Sequence, residues 1–240
     1  MTTASVVIGM VLAAMVMPVG SYAAEPPPDP DRRIAEADRV LTESISMPDG
    51  GLPTDLVRRC RGIAIFPGFI KAGVVVGVSF GNGVLVRKDE KTGRWSKPAF
   101  FAIRGGSIGL QAGAQSVDLV LLFMTEEAIE RMLEDQYRLG ADLAVAAGPV
   151  GRDASAGTDS RFMSGVLSYS RAKGLFAGVS LEGAVIEPDR DANFVYHGKG
   201  VTAQDVFYEG GGRLTEASRR LLDSLEKISG PRTEGATTAP

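Results

Sequence analysis

The sequence predicts an α+β fold in which a strongly twisted, mostly antiparallel, glycine-rich sheet or small barrel is flanked by N- and C-terminal helices. Apolar residues alternate with glycine or small polar residues in four stretches, at residues 71–86, 105–115, 138–148 and 174–186. Alternation with a period of two is typical of strands that bury one face. Each strand glycine costs roughly 0.5–1 kcal/mol, so their repeated use indicates a sheet that bends sharply or packs closely.

The stretch 71–86 sets the expected geometry of this sheet. Its apolar face is predicted to point into a core shared by the four strands, and it carries Ala72, Val74, Val76, Val78 and Phe80. The dipeptide Asn82-Gly83 predicts a tight turn, because both residues tolerate positive φ. A membrane helix that dimerises through spaced glycines is excluded, because the uninterrupted apolar run is far shorter than about 20 residues.

Helices are predicted on both sides of the sheet sequence. Residues 31–46 place apolar side chains three and four positions apart, and residues 215–228 end in a leucine-rich stripe of the same kind. Shorter helices are expected at 54–60, from 125 to about 135 and at 202–208, with a short helix or irregular segment at 189–197. Further strands are expected at 62–66, 98–103, 117–124 and 162–171.

Residues 1–23 are interpreted as a signal peptide. An apolar run covers residues 6–17, and Ser21 and Ala23 place small residues at the two positions that a signal peptidase reads. The alternative, an uncleaved anchor helix, would need a longer apolar run. Cleavage near Ala23 predicts an exported protein, either periplasmic or peripherally associated with the envelope. Residues 24–30 then form a linker, 31–229 a single domain and 230–240 a disordered tail.

Composition and motifs argue against several classes of function. The formal net charge is −3 and no basic stripe is present, so nucleic acid is not an expected partner. The single cysteine, Cys60, allows no intramolecular disulfide, and the arginines beside it would lower its pKa. Residues 189–193 open like a calcium loop, but Phe194 and Gly200 stand where that loop needs glycine and glutamate.

No motif predicts catalysis. The glycine-rich segments lack the spacing of a phosphate-binding loop, and the serines lack the context of a nucleophile elbow. A group formed by Asp118, Asp142 and Glu182 across neighbouring strands would be needed to support an enzyme, but the favoured explanation is that they are hydrogen-bonded residues on a polar face. We therefore expect a protein that is not an enzyme and that uses no cofactor or metal.

A hairpin tip with the sequence RKDEKTGRW is the strongest candidate for a binding surface. It combines several cations with a tryptophan, which suits the headgroup region of a membrane. Each cation near an anionic surface contributes about 1 kcal/mol. The predicted lipid-binding residues are Lys71, Arg87, Lys88, Lys91, Arg94, Trp95 and Lys97. An ordinary solvated hairpin remains the alternative, and Arg32, Arg33 and Arg39 give the first helix a second basic face.

Five ordered motifs resemble the SYLF domain family. They read GIAIFPGFIKAGVVVGVSFGNGVL, WSKPAFFAIRGGSIGLQAGAQSVDLVLLF, LGADLAVAAGPVG, YSRAKGLFAGVSLEGAVI and NFVYHGK. The resemblance covers roughly residues 52–207. It implies binding of phosphoinositides or other acidic lipids and, in fungal relatives, binding of actin filaments. Bacterial members are typically exported single-domain proteins, and this chain looks like one of them.

The family's lipid contacts are attributed to basic residues and an amphipathic N-terminal helix, which match residues 31–46 and Lys71 here. The sequence and the resemblance together predict non-enzymatic binding of anionic lipid or phosphoinositide-like headgroups at a membrane surface. The alternative is an envelope protein that joins protein partners through the glycine faces of its strands. Raised salt would weaken the first kind of binding and leave the second unchanged.

Overall fold

The computed structural model describes residues 29–47, 51–73, 76–108, 113–134, 136–142, 144–149, 165–172, 175–179, 181 and 183–230. These residues form six helices, which are α1 (Pro30–Ile45), α2 (Thr54–Arg59), α3 (Glu126–Arg131), α4 (Arg190–His197), α5 (Ala203–Tyr208) and α6 (Glu216–Ser229). The predicted signal peptide, most of the linker and all but the first residue of the predicted tail lie outside the described residues. In this part of the chain no helix is long and apolar enough to cross a membrane.

The described strands form one sheet. They are β1 (Gly62–Gly73), β2 (Val76–Arg87), β3 (Ala99–Ile108), β4 (Gly113–Phe123), β5 (Tyr137–Arg138), β6 (Val145–Ala147), β7 (Val166–Ala172), β8 (Leu175–Gly178) and β9 (Val185–Pro188). Their order is β5-β9-β3-β2-β1-β4-β7-β6, with β8 paired to β7. The β6–β7 pair is parallel and the other pairs are antiparallel. The predicted α+β class with a mostly antiparallel sheet is confirmed.

Both faces of the central strands are buried, because successive side chains point to opposite sides of a strand. On one face Ile63, Ile65 and Phe100 pack with α1 and α6, which contribute Leu41 and Leu225 among others. The residues between them on the same strands enter a second cluster on the other face, with α3, α5 and β9; its aromatic members are Phe66, Phe69, Phe101, Phe123, Tyr137 and Phe207. The single shared core expected from the sequence is therefore two cores separated by the sheet.

The predicted helices at 31–46, 125–135, 202–208 and 215–228 are confirmed, with ends that differ by a few residues. Thr125, Thr202 and Thr215 each accept a hydrogen bond from a backbone N–H in the first turn, so they are N-caps. The N-cap of α2 is Pro53, which has no side-chain hydrogen bond to the first turn. Residues Arg190–His197 form a helix capped by Asp189.

The turn predicted at Asn82-Gly83 is wrong, because β2 runs through both residues without a break. The glycines here make room for aromatic rings on the neighbouring strand. A Cβ at Gly81 would lie 2.9 Å from the Phe69 ring, and one at Gly83 would lie 2.6 Å from the Phe66 ring. Between these two phenylalanines β1 shifts register and Gly68 adopts a φ of 61°. The strand predicted to end at Phe66 therefore continues through a bulge.

The other glycine-rich stretches are also divided differently. Residues 105–115 hold the end of β3 and the start of β4, and residues 138–148 fold into β5, a turn and β6. Residues 174–186 hold β8, a turn with Gly183 at a φ of 83° and the start of β9. Val78 and Phe80 were expected in the core, but this prediction is wrong, because they are 58% and 48% exposed.

The contact between β1 and Gly83 generates a stability prediction. A Cβ at Gly83 would also lie 2.2 Å from the Ile65 carbonyl oxygen, which is backbone and cannot rotate away. We expect Gly83→Ala to lower the free energy of unfolding by about 1–3 kcal/mol in urea denaturation. Gly106→Ala is the matched control, because the nearest atom to its Cβ would be 3.9 Å away. Equal stability of the two variants would contradict this packing account.

His197, the last residue of α4, forms two hydrogen bonds to the backbone in its neutral form. Its Nδ1 accepts a hydrogen bond from the Arg213 N–H at 3.0 Å, so Nε2 carries the proton and donates to the Pro98 carbonyl at 3.0 Å. Burial lowers the pKa of His197 below its ordinary value of 6.5. Protonation would remove the acceptor for Arg213 and place a charge beside Lys97.

The lowered pKa predicts a loss of stability in acid. The unfolded chain takes up this proton first, so the free energy of unfolding falls as pH drops below about 6.5 and levels off below the folded pKa. Denaturation in urea at a series of pH values measures the slope. In His197→Gln, which keeps an acceptor and a donor, we expect the part of the slope due to this residue to disappear. A variant with the same slope as the parent would refute the assignment.

Candidate functional site

The hairpin between β2 and β3 forms one end of the molecule together with α2. Asp89 organises its tip, accepting hydrogen bonds from the Thr92 N–H at 2.7 Å and the Thr92 hydroxyl at 2.6 Å. These bonds hold the pKa of Asp89 below its ordinary value. The Lys88 N–H donates to the Arg61 carbonyl at 2.6 Å, which joins the hairpin to the segment after α2. We call segments 54–61 and 88–97 together the basic end.

The side chain of Arg87, at the base of the hairpin, makes its contacts inside the protein. Its side chain is 11% exposed and its Nε lies 2.6 Å from Glu126 Oε1. The guanidinium lies 4.2 Å from the centre of the Tyr208 ring, and the Tyr208 hydroxyl donates to the same Glu126 oxygen at 2.8 Å. These contacts join β2 to α3 and α5. Arg87 therefore offers little charge to an outside ligand.

Trp95 is also inside the protein. It is 7% exposed, packs in the core with α1 and α6 and donates from Nε1 to Ser229 Oγ at 3.1 Å. The Lys88 Nζ lies 5.5 Å from the centre of its ring and donates to the Arg58 carbonyl at 2.8 Å. Burial lowers the pKa of Lys88. The expected pairing of cations with a tryptophan exists, but it faces the protein.

Lys97 is held by three backbone carbonyls. Its Nζ donates to Gly210, Gly211 and Gly212 at 2.8, 3.1 and 2.8 Å. The three acceptors belong to the loop between α5 and α6, so the ammonium fixes this loop against the hairpin. Lysine suits such a cage because its ammonium has three rotatable donors.

Lys91 and Arg94 are exposed at the tip of the hairpin. They are joined at the surface by the arginines of the α2 region, which the lipid hypothesis did not include. Arg58 is 53% exposed and lies 3.8 Å from Asp55, whereas Arg61 is 32% exposed and pairs with Glu90. The pairing of Gly62 with Arg87 in the sheet brings the run Arg58-Arg59-Cys60-Arg61 beside the hairpin.

The basic end carries a local excess of positive charge. Its two segments contain seven Lys or Arg residues and three Asp or Glu residues, in a chain whose formal net charge is −3. Cations that act together raise the potential above one patch of surface even where individual residues form ion pairs. This concentration of charge suits an anionic surface.

Lys71 lies far from the basic end. It is nine residues along β1 from Gly62, a separation of about 30 Å along the strand. Its Nζ lies 5.8 Å from the centre of the Phe69 ring, and burial lowers its pKa. The predicted lipid-binding set is thus split between two ends of the sheet, and its role in binding stays a prediction.

Asp118 and Asp142, two of the three residues considered for catalysis, have different partners and lie on different parts of the sheet. Asp118 binds Arg171 at 2.6 Å and accepts from the Gly68 N–H, whereas Asp142 accepts from the Arg138 N–H. Five strand positions separate β4 from β5, and Glu182 lies outside the described residues. No group of three His, Cys, Asp or Glu residues that could hold a metal occurs among the residues that the structure describes.

Cys60 is buried, and burial raises its pKa to about 12. The thiol is therefore protonated at neutral pH, since the loss of hydration outweighs the attraction of the neighbouring cations. Arg61 does act to lower this pKa, as the sequence suggested, but burial has the larger effect and the net shift is upward.

Comparison with known proteins supports the resemblance seen in the motifs. LAS seventeen-binding protein 3 of Saccharomyces cerevisiae is 36% identical over 161 residues, which cover 66% of this chain and 35% of the yeast protein. Protein YSC84 of the same yeast is 35% identical over 181 residues, or 74% of this chain and 38% of that protein. SH3 domain-containing YSC84-like protein 1 of Homo sapiens is 31% identical over 199 residues, or 81% of this chain and 58% of the human protein.

The chain thus spans between about a third and three fifths of the length of these relatives. The sequence model of the Ysc84 family, described as Las17-binding protein actin regulator, matches residues 104–228, which is more than half of the chain. The resemblance to the SYLF family is therefore confirmed, and this chain belongs to the Ysc84 (SYLF) family.

Proposed function

We propose that this protein binds anionic lipid surfaces peripherally through the basic end. The observation that carries the proposal is the concentration of seven cations in segments 54–61 and 88–97, on a chain that is acidic as a whole. Lys91 and Arg94 are exposed at the tip, where they can approach a headgroup without disturbing the core. Arg58, Arg59 and Arg61 widen the surface. No catalytic step is part of this function.

The cellular location of this binding depends on the predicted signal peptide. We propose that residues 1–23 direct export, so that the lipids are those of the bacterial envelope. The relatives named for Las17 binding and actin regulation are longer proteins, and the chain matches only part of each. We therefore do not assign the partners of these relatives to this chain. The proposal of anionic-surface binding uses only residues of the domain itself.

Replacing the two exposed cations tests the proposal. We expect Lys91→Ser with Arg94→Ser to weaken binding to phosphatidylglycerol vesicles about 30-fold at low salt, since each cation contributes about 1 kcal/mol. Co-sedimentation at increasing salt measures it, and the binding of the parent should fall as salt rises. Stability should change little, because both side chains are exposed.

The matched control is Arg32→Ser with Arg39→Ser, which removes two exposed arginines from α1. We expect vesicle binding by this variant to stay within about twofold of the parent. Loss of binding in the α1 variant alone would move the membrane contact to that helix. Unchanged binding in the hairpin variant would refute a role for the basic end.

A second candidate function is contact with a protein partner. The observation that favours it is an apolar patch at the other end of the sheet, formed by Val78 and Phe80 with the half-buried Ile70 and Ala72 beside them. The glycine faces proposed from the sequence are less suitable, because the positions of Gly81 and Gly83 are filled by Phe69 and Phe66.

An apolar contact makes a distinct prediction. We expect Phe80→Ser to abolish assembly or partner capture that persists at high salt and to leave vesicle binding at low salt unchanged. Cross-linking in envelope extracts, compared between the parent and the variant, measures this effect. If salt-resistant complexes persist in Phe80→Ser, the patch is not the contact.

A further inference from the structure

A cleft of about 750 Å³ opens on the face of the sheet that packs against α1, well away from the basic end. It lies where the first turns of α1 and α4 meet strands β3 and β9, with Asn82 of β2 at its edge. Asn82 is five residues from Arg87 along β2, a separation of about 17 Å. The volume lies within the range of about 300–1,000 Å³ that is common for small-molecule sites.

Arg33 of α1 lines this cleft with a guanidinium that is not fully bonded. The side chain is 3% exposed and lies 5.4 Å above the Phe100 ring, so its position is fixed by packing. Its Nη1 donates to Asp189 Oδ2 at 2.8 Å, but its buried Nε has no hydrogen-bond partner among the described residues. A buried donor without a partner lowers stability, and a ligand oxygen that reaches the guanidinium would reduce this cost.

Charges of both signs surround the cleft in equal number. Three guanidinium groups belong to Arg33, Arg104 and Arg190, and three carboxylates belong to Glu187, Asp189 and Asp191. Asp189 is engaged twice, by Arg33 and by the Ala192 N–H, and Glu187 binds Arg104 at 2.5 Å. The N-termini of α1 and α4 are capped by the carboxylates of Asp29 and Asp189.

We propose that this cleft binds a small zwitterionic ligand that carries a phosphate and a primary ammonium group. The phosphate would lie towards Arg33, where charge-assisted hydrogen bonds are strongest. The ammonium would lie towards the carboxylates of Glu187 and Asp191. A simple anion would meet three carboxylates, and a simple cation would meet three arginines, so neither matches the whole cleft.

Two sources could supply this chemistry, a soluble aminoalkyl phosphate and the headgroup of an aminophospholipid. Val195 lines the cleft and is 66% exposed. This apolar side chain would lie against the glycerol and acyl region if the ligand is a lipid. The inference does not rest on lipid binding at the basic end, because the soluble ligand alone tests it.

Calorimetric titration of the purified protein with O-phosphoethanolamine, inorganic phosphate and ethanolamine is the first test. We expect O-phosphoethanolamine to bind at least about tenfold more tightly than either half of the molecule. Equal affinity for O-phosphoethanolamine and phosphate, or no saturable binding at millimolar concentrations, would overturn the proposal.

Variants locate the site. Arg33→Lys keeps a positive charge near Asp189 but removes Nε, and we expect it to weaken binding of O-phosphoethanolamine at least fivefold, or about 1 kcal/mol. Asp191→Asn should reduce the preference for O-phosphoethanolamine over phosphate. Arg32→Lys is the matched control, since Arg32 pairs with Glu36 on the exposed side of α1. Unchanged affinities in both cleft variants, with the fold intact by circular dichroism, would overturn the assignment.

Vesicles distinguish the two sources. At constant phosphatidylglycerol content, replacing phosphatidylcholine with phosphatidylethanolamine should strengthen binding if the ligand is a lipid, and Arg33→Lys should cancel that gain. If only soluble O-phosphoethanolamine binds, the ligand is a free metabolite. The hairpin variant should lower phosphatidylglycerol binding and leave O-phosphoethanolamine binding unchanged, so failure of one proposal is separable from failure of the other.

Discussion

The close packing of β1 against β2 is the constraint on which the rest of the structure depends. Phe66 and Phe69 lie over Gly83 and Gly81, where any side chain on β2 would collide with a ring or with the backbone of β1. This contact keeps β2 in one piece from Val76 to Arg87 and fixes its register against β1. Because the aromatic rings occupy one face and α1 the other, the central strands are buried on both sides.

That register decides where the charges lie. It carries Arg87 and Lys88 to the same end as Gly62 and sends Lys71 to the opposite end. The basic residues then divide into two kinds. Arg87 and Lys97 use their charge to hold helices and loops together, as the carbonyl cage around Lys97 shows. Lys91 and Arg94 remain at the surface, where the arginines of the α2 region, Arg58, Arg59 and Arg61, join them.

Local signals in the sequence predicted the helices well. The stripe of α1 and the threonine caps of α3, α5 and α6 depend on residues close in sequence, so their chemistry is visible without the fold. The strand boundaries were predicted less well, because the role of each glycine depends on residues that are distant in sequence. Asn82-Gly83 has the composition of a turn, but the ring of Phe66, distant in sequence, makes glycine necessary inside a strand.

The candidate sites were only partly predictable. Exposed cations at Lys91 and Arg94 follow from composition, whereas the burial of Trp95 depends on α6 and could not be seen in the hairpin itself. The cleft combines Arg33 of α1 with Asp189 of the β9–α4 junction, residues that lie 156 positions apart. No spacing rule joins such distant residues, so only the folded chain brings the six charges together.

Hydrogen exchange of the protein bound to phosphatidylglycerol vesicles tests the central claim most directly. The account predicts that protection on binding appears in segments 54–61 and 88–97 and that raised salt removes it. The amides of α1 and of residues 76–80 should exchange as they do in the free protein. Protection confined to those two regions, with the hairpin unchanged, would contradict the claim that the basic end is the membrane-binding surface.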